Sequence, residues 1–500
     1  MIHRQLSELL PVCQPQSITG NPDKLITGIC YNSNNIKPGQ IFTALRGIHT
    51  DGHKYIVQAT AAGAAAIVCE SPVHSQDKNI TYIQVANTRR ALSALAAAFY
   101  GYPAQKMKTI GVTGTDGKST TVWFIQQLLE GCGKTSGFLS TTGYQTGDTV
   151  QKNPFRQSTP EAPEINTILA GMAAKGKTYA VLEATSHGLS LLNCRLADIQ
   201  FNAAVFTNIS HEHLEFHGTL EQYRFDKANL FRQLYPGNQV AYGVVNLDDT
   251  HYDYFRQATT RPIYTYSLHQ QAADMYAIIQ SGNLTGTDCL IQYQNQQFPV
   301  RLNIPGTFNI ANLLAALLTV HKLTNIEWEE LLSVIPRLRP PTGRMHSINQ
   351  GQPFHVIVDY AHSPGSFEKI FNLIRPLAPG RIISVFGSAG ERDKLKRPMQ
   401  GKIAADFSEL VILTDEDPRL EDPMQILEEI AAGCQGLERD QSLYLIPDRT
   451  QAIRHAFSLA NPGDTVLILG KGHESSIIYA DGPQPWDEIA VCEQLLQEYL

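Results

Sequence analysis

Five hundred residues, at roughly 150 per domain, suggest about three domains, each large enough to bury its own core. The chain is 43% hydrophobic and 17% charged, with net charge −7, pI near 6.1 and mean hydropathy −0.18. Nothing in that charge favours nucleic acid or an anionic membrane as a partner. The segment Met1–Gln16 lacks the apolar core of a secretory signal, and no run of about 18 apolar residues follows, so a cytoplasmic chain without a membrane span is expected. The eight cysteines are scattered with no CxxC pair, which predicts reduced, mostly buried thiols.

In chain order, Gln40–Leu45, Ala64–Cys69 and Ile80–Val85 are short apolar, β-branched runs between turn residues, and Thr88–Tyr100 reads as a helix. Gly101-Tyr102-Pro103 breaks that helix and marks a linker. From Lys108 the pattern becomes strand, glycine-rich turn, helix, with buried-type strands at Thr109–Val112, Tyr179–Glu183 and Ala203–Asn208. A basic, proline-rich stretch from Arg337 to Gly343 marks a second linker. Further βα patterns follow at His355–Asp359, Arg381–Phe386, Leu410–Thr414 and Thr465–Leu469. Strands alternating with helices predict an α/β fold of three domains (1–107, 108–340 and 341–500), the central one a doubly wound, mostly parallel sheet. In such sheets ligands bind at the C-terminal strand ends, so the polar residues there are the candidates.

The sharpest signal is Gly111-Val112-Thr113-Gly114-Thr115-Asp116-Gly117-Lys118-Ser119-Thr120, between an apolar strand and a helix. Glycines let several backbone N–H groups point at one place, the helix N-terminus adds positive partial charge, and Lys118 can reach the outer phosphates. Ser119 offers Mg²⁺ a hard oxygen. The generic P-loop spacing is not strictly met, because Gly111 falls one residue too early and Val112 occupies the first glycine position. The intact half, Gly117-Lys118-Ser119, still identifies a nucleotide-binding loop of residues Gly114, Thr115, Asp116, Gly117, Lys118, Ser119 and Thr120.

This loop resembles that of the Mur ligases and their folylpolyglutamate synthetase relatives, with Asp116 where asparagine is usual. The resemblance continues in order through Glu183-Ala184-Thr185-Ser186-His187-Gly188-Leu189 and Phe206-Thr207-Asn208 to His217-Gly218. Gly306-Thr307-Phe308-Asn309, Val358-Asp359-Tyr360-Ala361-His362, Gly390-Glu391-Arg392 and Gly470-Lys471-Gly472-His473-Glu474 complete it. Pro38-Gly39-Gln40-Ile41-Phe42 and Asp51-Gly52-His53 favour the branch that adds a third residue to a UDP-linked muramoyl dipeptide.

The resemblance implies an N-terminal α/β domain for the UDP end, a central ATP-binding domain, and a C-terminal Rossmann-like α/β domain for the incoming amino acid. It implies a monomer that uses ATP and Mg²⁺ to activate a carboxylate as an acyl phosphate, which an amine then attacks. By family position, Ser119, Glu183 and His213 are Mg²⁺ ligands, and Lys227 is a lysine carboxylated by CO₂ that serves as a further ligand. Lys118, His213 and Lys227 are the implied catalytic residues, and Asn309, Arg344 and Asp359 the nucleoside contacts. Ser33 corresponds to a uridine-side serine. Gln157, Ser158, Thr159, Thr185 and Arg195 match the muramoyl-dipeptide pocket, where Asn193 is an uncertain equivalent of a family glutamine. His3 and His74 receive no role.

Glu416, Asp417, Pro418 and Arg419 align with the segment that reads the diamino acid, together with Arg392, Gly470 and Glu474. Arg419 can pair with the distal carboxylate of meso-diaminopimelate, which L-lysine and L-ornithine lack. Asp417, an anion where the diaminopimelate branch has asparagine, suits an amino group instead. Diaminopimelate is favoured, with lysine and ornithine open. The rival readings are another ligase of the superfamily, separable by UDP-sugar dependence, and a catalytically silent scaffold, separable by substrate-dependent phosphate release.

Overall fold

A computed structural model describes residues 2–47, 50–73, 77–155, 157–210, 214–237 and 239–499, with the main chain only for Leu214 and Glu215. The chain divides into two compact units. One comprises Met1–Ala277, Gln292–Gln296 and Ala311–Val334; the other comprises Ile278–Ile291, Gln297–Ile310 and Ile335–Leu500.

The first unit begins with a five-stranded sheet of β1 (Ser17–Thr19), β2 (Gly28–Cys30), β3 (Gln40–Thr43), β4 (Ala66–Cys69) and β5 (Thr81–Gln84), in the order β1-β5-β4-β3-β2. Only β1 runs antiparallel to its neighbour. Helix α1 (Thr88–Phe99) packs Leu92, Leu95 and Phe99 onto Ile41, Val68 and Ile83. Asn87 caps it, its side chain accepting from Arg90 N. The chain then breaks at the predicted place, where Gly101 and Tyr102 take left-handed φ of 70° and 51°.

The second sheet of this unit contains β6 (Lys108–Thr113), β7 (Ser136–Leu139), β8 (Tyr144–Gln145), β9 (Tyr179–Glu183), β10 (Ala203–Phe206), β11 (Tyr242–Asn246) and β12 (Ile263–Ser267), in the order β8-β7-β9-β6-β10-β11-β12. All pairs except β8 with β7 are parallel. The chain leaves β6 to one side for β7 and β9, then crosses to the other for β10. The carboxyl end of β6, between β9 and β10, is therefore the topological switch point at which such sheets bind ligands. Helices α2 (Lys118–Gly131), α3 (Ala162–Ala174), α4 (Ser186–Leu189) and α5 (Leu220–Arg232) connect these strands. Gly111 proves to be a core position rather than part of the phosphate loop. A Cβ there would meet Leu230 Cδ1 at 2.4 Å and Phe201 at 3.0 Å. Strand β10 ends at Phe206, two residues short of expectation, because Thr207 and Asn208 turn to bind the loop after β6.

Three strands absent from the sequence reading follow: β13 (Met275–Asn283), β14 (Gly286–Tyr293) and β15 (Gln296–Leu302). Much of β13 and β15 is exposed, β13 over its polar second half and β15 at alternate positions.

The second unit holds a six-stranded sheet of β16 (His346–Ile348), β17 (His355–Asp359), β18 (Ile382–Phe386), β19 (Leu410–Leu413), β20 (Leu443–Leu445) and β21 (Thr465–Leu469), in the order β16-β17-β21-β18-β19-β20. It is parallel apart from β16. Strand β21 returns to lie between β17 and β18, so the ends of β21, β18 and β19 adjoin. A hairpin of β22 (Ser476–Tyr479) and β23 (Gly482–Pro485) and a helix, Glu488–Tyr499, follow. Among the described residues no helix is long and apolar enough to cross a membrane. Seven of the eight cysteines are buried and Cys30 is half-buried.

Candidate active site

At the switch point of the first unit, the loop between β6 and α2 is held by the two residues that follow β10. Thr115 N donates to Asn208 O (2.7 Å), Asp116 N to Asn208 Oδ1 (3.0 Å) and Thr207 Oγ1 to Asp116 O (2.6 Å). Gly114 has φ 147°, and a Cβ there would lie 1.9 Å from Thr207 Oγ1; Gly117 has φ 81°, and its Cβ would lie 2.3 Å from Asn312 Oδ1. Both places need a residue without a side chain. Gly117 also forms the N-cap of α2 with no side-chain cap, which leaves the first-turn amides and the positive helix end to an anion. Lys118 Nζ folds back onto Thr115 O at 2.7 Å, and Asp116 is exposed.

Glu183, at the end of the neighbouring β9, is buried and accepts from three donors. Ser119 Oγ lies 2.8 Å from its Oε2, Thr141 N 2.9 Å from the same oxygen, and Thr141 Oγ1 2.9 Å from Oε1. Thr141 had no place in the sequence reading. Its signal was available, since Ser140-Thr141-Thr142-Gly143 follows the end of β7 as the phosphate loop follows β6. Ser158 Oγ lies 2.6 Å from Thr141 Oγ1, and Gln157 beside it is exposed. Thr159 donates to Glu183 O (2.8 Å) and its Oγ1 accepts from Thr185 N (3.1 Å). Arg195 reaches Thr159 O (2.9 Å) and pairs with Glu161 (2.8 Å). Phosphate-loop, carboxylate and dipeptide-pocket candidates therefore share one polar network at adjacent strand ends.

Lys227, on α5, is 1% exposed. Its Nζ donates to Gly114 O at 2.6 Å and sits 4.4 Å from the centroid of the Tyr223 ring. The same tyrosine's hydroxyl lies 3.2 Å from Thr115 Oγ1, so α5 touches the phosphate loop twice. His213 lies outside the described residues. Ser33 occupies the turn after β2, where Asn35 N donates to Asn32 O. Asn193 lies in the turn after α4, beside the exposed Leu191 and Leu192.

In the second unit, Asp359 Oδ2 accepts Met345 N and Oδ1 accepts Ala361 N, each at 2.8 Å. Burial raises its pKa from the ordinary aspartate value, against the pull of Arg344. Arg344 itself stacks 4.9 Å from the centroid of the Tyr360 ring. Asn309 is buried, and its Nδ2 donates to Pro305 O at 2.8 Å.

The diamino-acid candidates gather at the ends of β19 and β21. Asp417 Oδ1 accepts from the buried Lys471 Nζ (2.8 Å) and from Ile478 N (2.9 Å). Lys471 also pairs with Glu474, whose other oxygen lies 3.3 Å from Tyr360 OH. Asp417 thus meets an internal cation that the sequence reading had not assigned to it. Arg419 is held at φ 56° by its own N–H, which donates to Ile478 O at 2.9 Å, and its buried Nε has no hydrogen-bond partner among the described residues. Glu416 Oε2 is likewise unpartnered; it faces Gly470, and burial raises the carboxyl's pKa. Gly390 N, beside Arg392, donates to Asp417 O at 2.8 Å, and Pro418 O packs against Gly390. Arg392 is exposed.

Three family models match in chain order: "Mur ligase family, catalytic domain" over residues 25–100, "Mur ligase middle domain" over 112–320, and "Mur ligase, glutamate ligase domain" over 343–472. The chain is 47% identical to a UDP-N-acetylmuramyl-tripeptide synthetase of Roseiflexus sp. (strain RS-1), covering 99% of both chains. It is 36% identical to a UDP-N-acetylmuramoyl-L-alanyl-D-glutamate–2,6-diaminopimelate ligase of Syntrophomonas wolfei subsp. wolfei, again over 99% of each. A solved structure of a UDP-N-acetylmuramoyl-L-alanyl-D-glutamate–2,6-diaminopimelate ligase superposes with a TM-score of 0.69 at 30% identity, covering 100% of this chain and 99% of the other.

Proposed function

The chain belongs to the Mur ligase family, and on that premise we propose that it joins UDP-N-acetylmuramoyl-L-alanyl-D-glutamate to a diamino acid, with ATP hydrolysed to ADP and phosphate. Residues 1–107 take the UDP end, with Ser33 on the uridine side; 108–340 take the nucleotide phosphates and the dipeptide; 341–500 take the amino acid. Asn309, Arg344 and Asp359 take the nucleoside. The observation that carries this reading is the shared network of the phosphate loop, Glu183, Thr159, Thr185 and Arg195. It sets a carboxylate substrate beside a phosphoryl donor, the arrangement that making an acyl phosphate needs.

Ser119 Oγ and Glu183, 2.8 Å apart, are hard oxygen donors that fit Mg²⁺, with His213 and a carboxylated Lys227 as further ligands. Bound there, the ion would offset negative charge on the transferring phosphoryl group. Lys118 and the α2 amides act on the same charge. Arg195 and the Thr185 hydroxyl hold the dipeptide. At the amino-acid site, Arg419 favours meso-diaminopimelate, and the internal pairing of Asp417 with Lys471 weakens the objection that Asp417 would repel a carboxylate. Lysine or ornithine, with an amino group facing Asp417, is the second reading.

The test is ADP release with the UDP-muramoyl dipeptide against a panel of diamino acids. Release is expected only when both substrates are present. Turnover that ignores the UDP substrate and needs another acceptor would move the chain to a different branch of the family.

Lys227 can be tested separately. Carbamate formation joins the lysine nitrogen to the CO₂ carbon with loss of a proton, so it proceeds from the neutral amine. Lys227→Ala is expected to lose most of the activity and to regain part of it when short-chain carboxylic acids are added. Full activity in Lys227→Ala, or an unmodified lysine in a fully active preparation, would end the carbamate assignment.

A further inference from the structure

The ends of β19 and β21, which carry all the diamino-acid candidates except Arg392, are joined by a side chain that no family motif above includes. Arg449 begins the helix Arg449–Leu459 and its side chain is fully buried. Its Nη1 donates to Asp415 O (3.0 Å), one residue before Glu416, and its Nη2 to Leu469 O (2.8 Å), one residue before Gly470. One planar guanidinium therefore spans from β19 to β21 across the end of β18. Glu488, also fully buried, accepts from Arg449 Nε at 2.9 and 3.2 Å and from Nη2. Trp486 Nε1 donates to Glu488 in turn.

We propose that the Arg449–Glu488 pair is the positioning element of the amino-acid site, a buried strap that sets the separation between the Glu416–Arg419 segment and the Gly470–Glu474 loop. Hydrophobic residues could fill that space at less desolvation cost, since a buried ion pair adds little to stability beyond its apolar replacement. A planar, five-donor group bridging two carbonyls holds two chain segments at one distance; a lysine ammonium can bridge carbonyls but without that fixed fork, and an apolar side chain cannot bridge them at all. The hairpin supports the strap from the other side, because Ile478 N–H and C=O are both used, one on Asp417 Oδ1 and the other on Arg419 N–H.

The inference rests on the amino-acid site proposed above, and the experiment separates the two. KM for ATP, for the UDP-muramoyl dipeptide and for the amino acid, and kcat, are measured for the wild type, Arg449→Lys, Glu488→Gln, Trp486→Phe and Arg419→Ala, with thermal melting as the fold control. In folded Arg449→Lys or Glu488→Gln, a shift of the site by even a fraction of an ångström should raise the amino-acid KM by about tenfold or more, with the other two KM values within about twofold. Trp486→Phe should give the same pattern more weakly. An unchanged amino-acid KM in the folded variants, or an equal rise in all three KM values, overturns the strap. If Arg449→Lys does not fold, Glu488→Gln and Trp486→Phe decide in the same way. If Arg419→Ala leaves the KM for meso-diaminopimelate untouched, the diaminopimelate reading of the site fails, whatever the strap variants do.

Discussion

Lys118→Ala is expected to abolish ATP turnover in a protein that remains folded. The lysine opens α2, is half-buried and spends its ammonium on the loop's own carbonyl at Thr115, so its removal leaves no cavity in a core and strands no buried partner charge. The loop keeps its other anchors, Asn208 and Thr207, so the amides and helix end still present themselves to phosphate. What disappears is the mobile positive charge that follows the phosphoryl group as negative charge redistributes. Removing one preorganised stabilising group of this kind costs about 10²–10³ in rate, and the low background of phosphoryl transfer makes such a loss read as inactivity. The check is substrate-dependent phosphate release beside a melting curve. Near-normal release from a folded mutant would remove the phosphate-loop assignment.

In Arg419→Ala, kcat/KM for meso-diaminopimelate should fall by at least about a hundredfold. A half-buried guanidinium whose Nε has no hydrogen-bond partner among the described residues, on a backbone held by its N–H to Ile478, can take a bidentate acceptor from the substrate. Breaking a buried pair by removing one member costs on the order of 3–5 kcal/mol, and each ~1.4 kcal/mol is a factor of ten, so a hundredfold is the conservative end. The left-handed φ of 56° penalises arginine and alanine alike, so strain does not confound the comparison. Turnover of lysine or ornithine, which carry no distal carboxylate, should change far less. A wild type that prefers lysine or ornithine would defeat the diaminopimelate reading, as would equal losses for every substrate. Asp417 would then be the amine's partner, with Lys471 tuning how much of its charge the substrate meets.

The sequence by itself determined the features whose physics is local. A strand, a glycine turn and a helix N-terminus lie within one short stretch from Thr109 to Thr120, so that strand–turn–helix was legible without any long-range contact, as was the end of the helix before Gly101. Buried parallel strands such as β6, β9 and β21 were legible because both of their faces are apolar, which leaves a continuous hydrophobic run, whereas β7 and β11, also buried, carry a glycine within a short run and were not read. The strands of 275–302 were not read, although β14 is mostly buried; β13 and β15 each have a largely exposed stretch that interrupts any apolar run. Only the tertiary structure decided which side chains converge. Thr141 joins Glu183 because β7 and β9 are neighbours in space, and Lys227 reaches Gly114 O from a helix 113 residues away. Lys471 neutralises Asp417, and Arg449 ties β19 to β21, through pairings fixed by strand order rather than by spacing. A hydrogen bond acts over about 3 Å of space and is indifferent to the length of chain between its ends. Such partners therefore become visible only when the sheet that brings them together is known.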